Sequence, residues 1–312
     1  MTPAPGEDRL TARIAAAARA GGIRAPGGAS LRMGIGDDAA VVDLPKGRYV
    51  LTTDTLVEGV DFFPGELPFW IGRRAAAANL SDLAAMGALP VGFLLSIAVR
   101  RKDGARAARR IAEGAISRMR PFRAALWGGD LSRAAATVVT ILLVGKAPRP
   151  VARSGARPGD VLFVTGSPGS AKAAMELRCS RVGRPPRAGE RPYVDPPPRV
   201  AFGRALAGRR WATAMIDISD GLGRDARRLA AASRVRLVFE RAPPGALSGD
   251  SDDFELLFAS PAAREGSILR LGRRLTTPVA RVGRVETGKG VVLEKAGGRR
   301  AAVSGGGWDH FA

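Results

Sequence analysis

A chain of 312 residues with 46% hydrophobic content has room for about two domains with packed cores, and is too apolar for a disordered chain. Its single histidine, His310, and single cysteine, Cys179, exclude a Ser-His-Asp triad from the body of the chain, and with it a Cys-His pair, a disulfide framework and a Cys/His zinc site. The net charge of +20 is carried by arginines scattered through Ala/Gly/Pro-rich sequence, and with aromatics at 5% it reads as a solvated surface rather than a nucleic-acid face, so what remains is carboxylate chemistry with hard cations.

In chain order, the amino terminus (MTPAPGEDRL) lacks an apolar signal core, and the longest apolar run, Val91 to Val99, is about half of the ~20 residues a membrane span needs. These features point to a cytoplasmic protein with no membrane part. Tyr49 to Val57 is β-branched and predicts a strand whose exit carries Thr52, Thr53 and Asp54. Residues 69–87, Ala-rich, free of proline and closed by glycine, predict a helix on which Asn79 and Asp82 share a face. A strand at 91–99, a helix at 103–120 and a strand at 136–144 follow, the last after a Gly128-Gly129-Asp130 turn. The pattern breaks at Lys146-Ala-Pro-Arg-Pro150, giving a first domain of 1–147 and a second of 148–312.

The second domain repeats the alternation. A strand is expected at 160–165, a turn at 166–170 without P-loop spacing, and a helix at 171–177. The run Arg178, Arg181, Arg184, Arg187 and Arg191 lies in Pro/Gly-rich sequence and reads as a mobile loop. Residues 214–220 predict a strand ending in Asp217 and Asp220, followed by a helix through Ala232. Strands at 236–240, 254–259 and 279–285 and a helix at 266–275 complete the reading.

Five acidic segments stand out: Gly36-Asp37-Asp38, Thr52-Thr53-Asp54, Asn79-Leu80-Ser81-Asp82, Gly128-Gly129-Asp130 and Asp217-Ile218-Ser219-Asp220-Gly221. Singly, each is an ordinary turn or a solvated helix face. Together they describe a cation-binding set. Asp82 is the sharpest case, because its flanks are apolar and an unpaired carboxylate on a buried helix is costly unless a cation relieves it.

GIGDDAAVV (34–42), LTTDTLVEGVDF (51–62), NLSDLAAMGALP (79–90), GGDLSR (128–133), RSGARPGDVLFVTG (153–166), IDISDGLGRD (216–225), DDFELLF (252–258) and WDHF (308–311) resemble, in order and over nearly the whole chain, the thiamine-monophosphate kinase family of the aminoimidazole-ribonucleotide-synthetase-like superfamily. The resemblance implies a two-domain α/β fold of that superfamily, with mixed sheets and flanking helices, and a homodimer formed through amino-terminal strands. It implies an ATP-dependent, Mg²⁺-assisted phosphorylation of thiamine monophosphate to thiamine diphosphate. Phosphoryl transfer asks a protein for positioning and charge neutralisation, which suits a chain without catalytic histidine or cysteine.

Position by position, the resemblance assigns Asp38, Thr52, Thr53, Asp54, Asp82, Asp130, Asp217 and Asp220 to several Mg²⁺ ions, with Asp130 and Asp220 also as catalytic residues. Gly129, Arg153 and Ser219 fall at ATP contacts, and Asp61, Asp252 and Trp308 on the acceptor side. Three features depart from the family pattern: Asp61 stands where histidine is usual, SGDSDDFEL is one residue longer than SGGEDYEL with Asp252 and Phe254 replacing glutamate and tyrosine, and the connection FERAPPGAL is short. All lie on the acceptor side. They keep open an enzyme with another phosphorylated or carboxylated acceptor, and a nucleotide-binding protein without turnover is a further alternative.

Overall fold

The computed structural model describes residues 30–310 apart from 46, 102, 103, 243, 244 and 296, and in addition Ala12 and Ala16. Phe311 of the terminal motif and most of the amino-terminal segment lie outside the described residues. The first sheet contains β1 (Ser30–Met33), β2 (Ala40–Leu44), β3 (Gly47–Val57), β4 (Leu89–Val99), β5 (Ala125–Arg133) and β6 (Val138–Lys146) in the order β1-β2-β3-β6-β4-β5. All its pairings are antiparallel except the parallel β4–β5 edge. Central β6 alternates in burial, with Val139, Ile141 and Leu143 facing the core.

Helix α1 (Pro68–Ala85) begins with proline at its first turn and is buried nearly all round, as expected of a helix covered on several sides. It packs on β3 and β6, on α2 (Gly104–Met119), and on elements of the second half.

The second sheet is ordered β13-β12-β9-β11-β7-β10-β8, from β7 (Asp160–Thr165), β8 (Ala214–Ile218), β9 (Arg236–Phe239), β10 (Glu255–Pro261), β11 (Val279–Glu286), β12 (Gly290–Glu294) and β13 (Arg300–Ala302). Its helices are α3 (Ser170–Cys179), α4 (Val200–Arg209), α5 (Leu222–Ser233) and α6 (Glu265–Arg274). Strands β7, β8 and β10 are buried on both faces, and their side chains divide by the period of two. Val161, Phe163, Met215, Leu256 and Phe258 join a core continuous with the first sheet and α1, whereas Leu162, Val164, Ile216, Leu257 and Ala259 pack in a separate core with Leu222, Ala226 and Leu229 of α5. The same alternation places Asp217 on the Met215 face, toward α1 and the first sheet. The position of this carboxylate is thus a consequence of strand register.

Two expectations are overturned. Gly128-Gly129-Asp130 is no turn but the middle of β5. Glycine is needed there because β5 runs against the β4 backbone: a Cβ on Gly129 would lie 1.8 Å from the Leu95 carbonyl oxygen. The arginine-rich stretch is not a mobile loop either. Arg178 has no exposed surface; its guanidinium donates to both Glu66 oxygens at 2.7 and 2.5 Å and to Glu190 at 2.8 Å, and the turn Arg191–Val194 places Tyr193 and Val194 in a small core with Phe63 and Trp70. Composition showed flexible residue types, but paired charges and buried aromatics decide the outcome. Strands β1, β2, β12 and β13 and helix α4 had no counterpart in the sequence reading, being short or weakly periodic. Among the described residues no helix is long and apolar enough to cross a membrane.

Candidate active site

Between the two sheets lies a cavity of about 1120 Å³. The turn before β2 contributes Asp37 and Asp38, β3 Thr52, Thr53 and Asp54, α1 Arg74 and Asp82, β8 Asp217, and the loop after it Ser219 and Asp220. Trp308 and His310 close one side.

One oxygen each from Asp38, Asp82 and Asp217 can be chosen so that all three lie within 4.8 Å of one another. Asp38 and Asp217 are only 7% and 2% exposed. Neighbours orient the set: Ser81 donates to Asp217 Oδ2 at 2.8 Å, Thr52 donates to Asp82, and Arg153 Nη2 donates to Asp38 Oδ1 at 2.8 Å. Asp38 Oδ2 is buried without a hydrogen-bond partner. A buried, orphaned carboxylate oxygen beside two further carboxylates and a threonine hydroxyl is an all-oxygen donor set that fits a hard divalent cation such as Mg²⁺.

The electrostatics point the same way. Burial, followed by repulsion from neighbouring aspartates, pushes Asp82 and Asp217 well above the ordinary carboxylate range, and burial pushes Asp54 up to about 6 despite its hydrogen bond with Asp82. Asp37 is raised to about 6 by burial and the adjacent Asp38 charge, and Asp225 to about 7 by burial and Asp220. Four of these raised carboxylates, Asp37, Asp54, Asp82 and Asp217, line one cavity and mark a site whose charge a ligand must balance.

Ser219 and Asp220 are held by Asp225, whose Oδ2 accepts both of their backbone N–H groups at 3.1 Å, while Arg228 donates to Asp220 at 2.5 Å and to Asp225 at 3.1 Å. The acceptor-side residues also line the cavity. Asp252 pairs with Arg74, whose guanidinium lies 4.1 Å from the Tyr193 ring centroid. Asp61 is committed locally, its Oδ2 accepting the Val57 N–H at 2.7 Å and closing the turn after β3. Trp308 is 40% exposed, which leaves ring surface available to a ligand.

Gly129 and Asp130 are the exceptions. They sit on β5, exposed along its length, and do not line the cavity. Conversely, sequence reasoning passed over several residues that do line it: His310, set aside as terminal, and Asp37, Arg74, Lys172, Tyr193, Arg228 and Asp250. Asp37, Asp250 and His310 lay inside quoted motifs; for the others tertiary packing is the only signal.

Residues 36–147 match the family described as AIR synthase related protein, N-terminal domain, and residues 157–296 its C-terminal domain. The thiamine-monophosphate kinase of Rhodopirellula baltica is 34% identical over 281 residues, 81% of this chain and 83% of that protein. That of Escherichia coli K12 is 32% identical over 308 residues, 90% and 93% of the two chains. Among solved structures, "AaThiL complexed with AMPPCP and TMP" superposes with a TM-score of 0.77 at 30% identity, covering 89% of this chain and 92% of that one.

Proposed function

The chain belongs to the thiamine-monophosphate kinases, and we propose that its aspartate-lined cavity is where it phosphorylates thiamine monophosphate from ATP by direct in-line transfer. The observation that carries the siting is the convergence of Asp38, Asp82 and Asp217, with the orphaned Asp38 oxygen, in one cavity. Asp38, Asp82 and Asp217 would hold Mg²⁺ first, with Asp54, Thr52, Thr53 and Asp220 within the same cavity for further ions. Bound there, Mg²⁺ supplies charge neutralisation for two phosphate-bearing anions that otherwise repel. The chain's own task is orientation. Asp225 and Arg228 fix the Ser219–Asp220 loop, and Arg153, paired with Asp38, is positioned to exchange that carboxylate for a phosphate oxygen once a cation takes its place.

Turnover of purified protein with ATP and Mg²⁺ on thiamine monophosphate, against a panel of other phosphate monoesters, tests the acceptor. Faster turnover of another monoester would transfer the assignment to a different acceptor, the reading that the Asp61 and Asp252 departures keep in view.

ATP binding should require divalent metal and weaken about tenfold on Arg153→Ala, roughly 1.4 kcal/mol. Calorimetry showing the same ATP affinity in chelator would rule out a metal-bridged mode. Trp308→Ala should raise the KM for thiamine monophosphate roughly 2–30-fold while leaving that for ATP within twofold, since stacking on a cationic ring is worth about 0.5–2 kcal/mol. An unchanged acceptor KM removes Trp308 from the pocket. Asp61→His, expected from the family pattern to be tolerated, now carries a cost because it disturbs the Val57 turn; Asp61→Asn, which keeps an acceptor oxygen, is the better-tolerated change.

The cavity within one chain lacks Gly129 and Asp130, so we assign these to a second copy. Leu126, Trp127 and Leu131 on β5 and Leu94 on β4 are exposed large apolar side chains. An uncovered apolar strand edge of this kind favours pairing with another copy, which would carry Asp130 toward a neighbouring cavity.

A further inference from the structure

The segment Gly305–His310 approaches the cavity from the β13 edge of the second sheet, where Val303 N–H still donates to the Val291 carbonyl at 2.9 Å. Three successive glycines with φ of +77°, +73° and +91° turn it toward α5. The last two leave no room for side chains: a Cβ on Gly306 would lie 2.2 Å from the Ser248 carbonyl oxygen, and one on Gly307 2.6 Å from Arg224 Cβ. Arg227 forks onto the two preceding carbonyls, Nη1 donating to Gly305 O at 2.8 Å and Nη2 to Gly306 O at 2.9 Å. Arg224 faces Asp309 at 3.7 Å.

The decisive contact is the next one. Trp308 N–H donates to the Asp220 carbonyl at 3.0 Å, and the Asp220 N–H donates to Asp225 at 3.1 Å. The peptide groups flanking the Asp220 side chain are thus held from two directions, one by the α5 carboxylate and the other by the residue that offers its ring to the acceptor. Trp308 cannot withdraw without breaking its hydrogen bond to the Asp220 carbonyl. Any shift of the Asp220 loop on binding cation is transmitted to the Trp308 main chain.

We propose that Gly305–His310 is a strap that couples the acceptor-stacking wall to the metal loop, with Arg227 and Arg224 as positioning residues that keep it docked on α5. This deepens the kinase reading and rests on it for the identity of the acceptor. Coupling of this kind is reciprocal: what tightens the metal loop strengthens ring binding by the same factor.

The test uses the full chain without ATP. Trp308 emission, isolated as the difference from Trp308→Phe, is followed during Mg²⁺ titration. A saturable change is expected in the parent chain, and its loss in Arg227→Ala, whose own Mg²⁺ affinity by calorimetry stays within about threefold. Arg227→Lys, able to reach one carbonyl, should recover part of the response. In a second arm, thiamine, which has the ring but no phosphate to touch a metal, should strengthen Mg²⁺ binding about fivefold in the parent and not in Arg227→Ala. An unchanged Trp308 signal with Mg²⁺, or an equal signal in Arg227→Ala, overturns the strap. A normal Mg²⁺ response with no thiamine binding supports the strap and overturns the acceptor assignment instead.

Discussion

Two variants that are each inactive, Asp130→Asn and Asp217→Asn, are expected to regain about a quarter of parental activity when refolded together. Either alone should lose roughly 10²–10³-fold or more in kcat, because an amide keeps the shape of a carboxylate but not the charge that binds a cation. Asp217 lies in the cavity of its own chain, buried against Ser81, while Asp130 points outward from β5. If Asp130 serves the neighbouring copy, a mixed dimer concentrates both lesions in one site and leaves the other intact. Random assortment makes half of the dimers mixed, so about one site in four works. Native mass spectrometry would establish that mixed dimers form. Activity staying at the parental-variant level in their presence would show that Asp130 acts within its own chain, and near-normal activity of Asp130→Asn alone would remove it from the site. Folding of this variant should be unaffected, since the Asp130 side chain is exposed.

Asp82→Asn should abolish turnover and yet raise the melting temperature of the metal-free protein by about 2–6 °C. Asp82 sits with Asp54, Asp217 and Asp38, and burial and their charges raise its pKa well above the ordinary range, so the folded state carries a repulsion that a neutral amide relieves. The same charges set a pH dependence. A carboxyl with a folded pKa above the unfolded 3.8 keeps its proton where the unfolded chain has lost it, so its stabilisation is complete below about 4 and disappears as pH rises through the folded value. For Asp37 and Asp54 that value is about 6, and for Asp225 about 7. Carboxyls with lowered values, such as Asp43 at about 2 beside Arg48 and Arg32, finish titrating below this range and oppose the trend only at lower pH. Metal-free protein should therefore lose thermal stability from pH 5 to pH 7.5, and millimolar Mg²⁺ should restore it at the upper end. Scanning calorimetry at several pH values checks both. A melting temperature that rises over this window without metal, or ignores Mg²⁺ at pH 7.5, would show that the cluster is not a charge-strained cation site.

The chemistry was legible from residue types and spacing, because excluding histidine and cysteine left carboxylates as the working groups and their motifs stood in a family's order. Long segments such as α1, β3 and β6 were legible too, since an Ala-rich, proline-free run closed by glycine favours helix and β-branched runs favour strand locally. Asp82 could be singled out because an aspartate amid apolar helix residues conflicts with its surroundings.

What sequence could not decide was which of these groups meet. The approach of Asp217 to Asp38 and Asp82 depends on β8 presenting its Met215 face to α1, a matter of register between segments more than a hundred residues apart. The Gly-Gly-Asp segment has the composition of a turn, and becomes strand because it pairs with β4, whose backbone comes so close to Gly129 that no side chain fits there. Arg178 has the composition of a loop, and is buried only because Glu66 and Glu190 arrive from elsewhere. Local sequence thus determined what each residue can do and, through residue composition, the longest elements; the meeting of side chains from distant segments, on which the charge balance of the cavity depends, was left to the tertiary structure, because it arises from non-local packing that no single segment encodes.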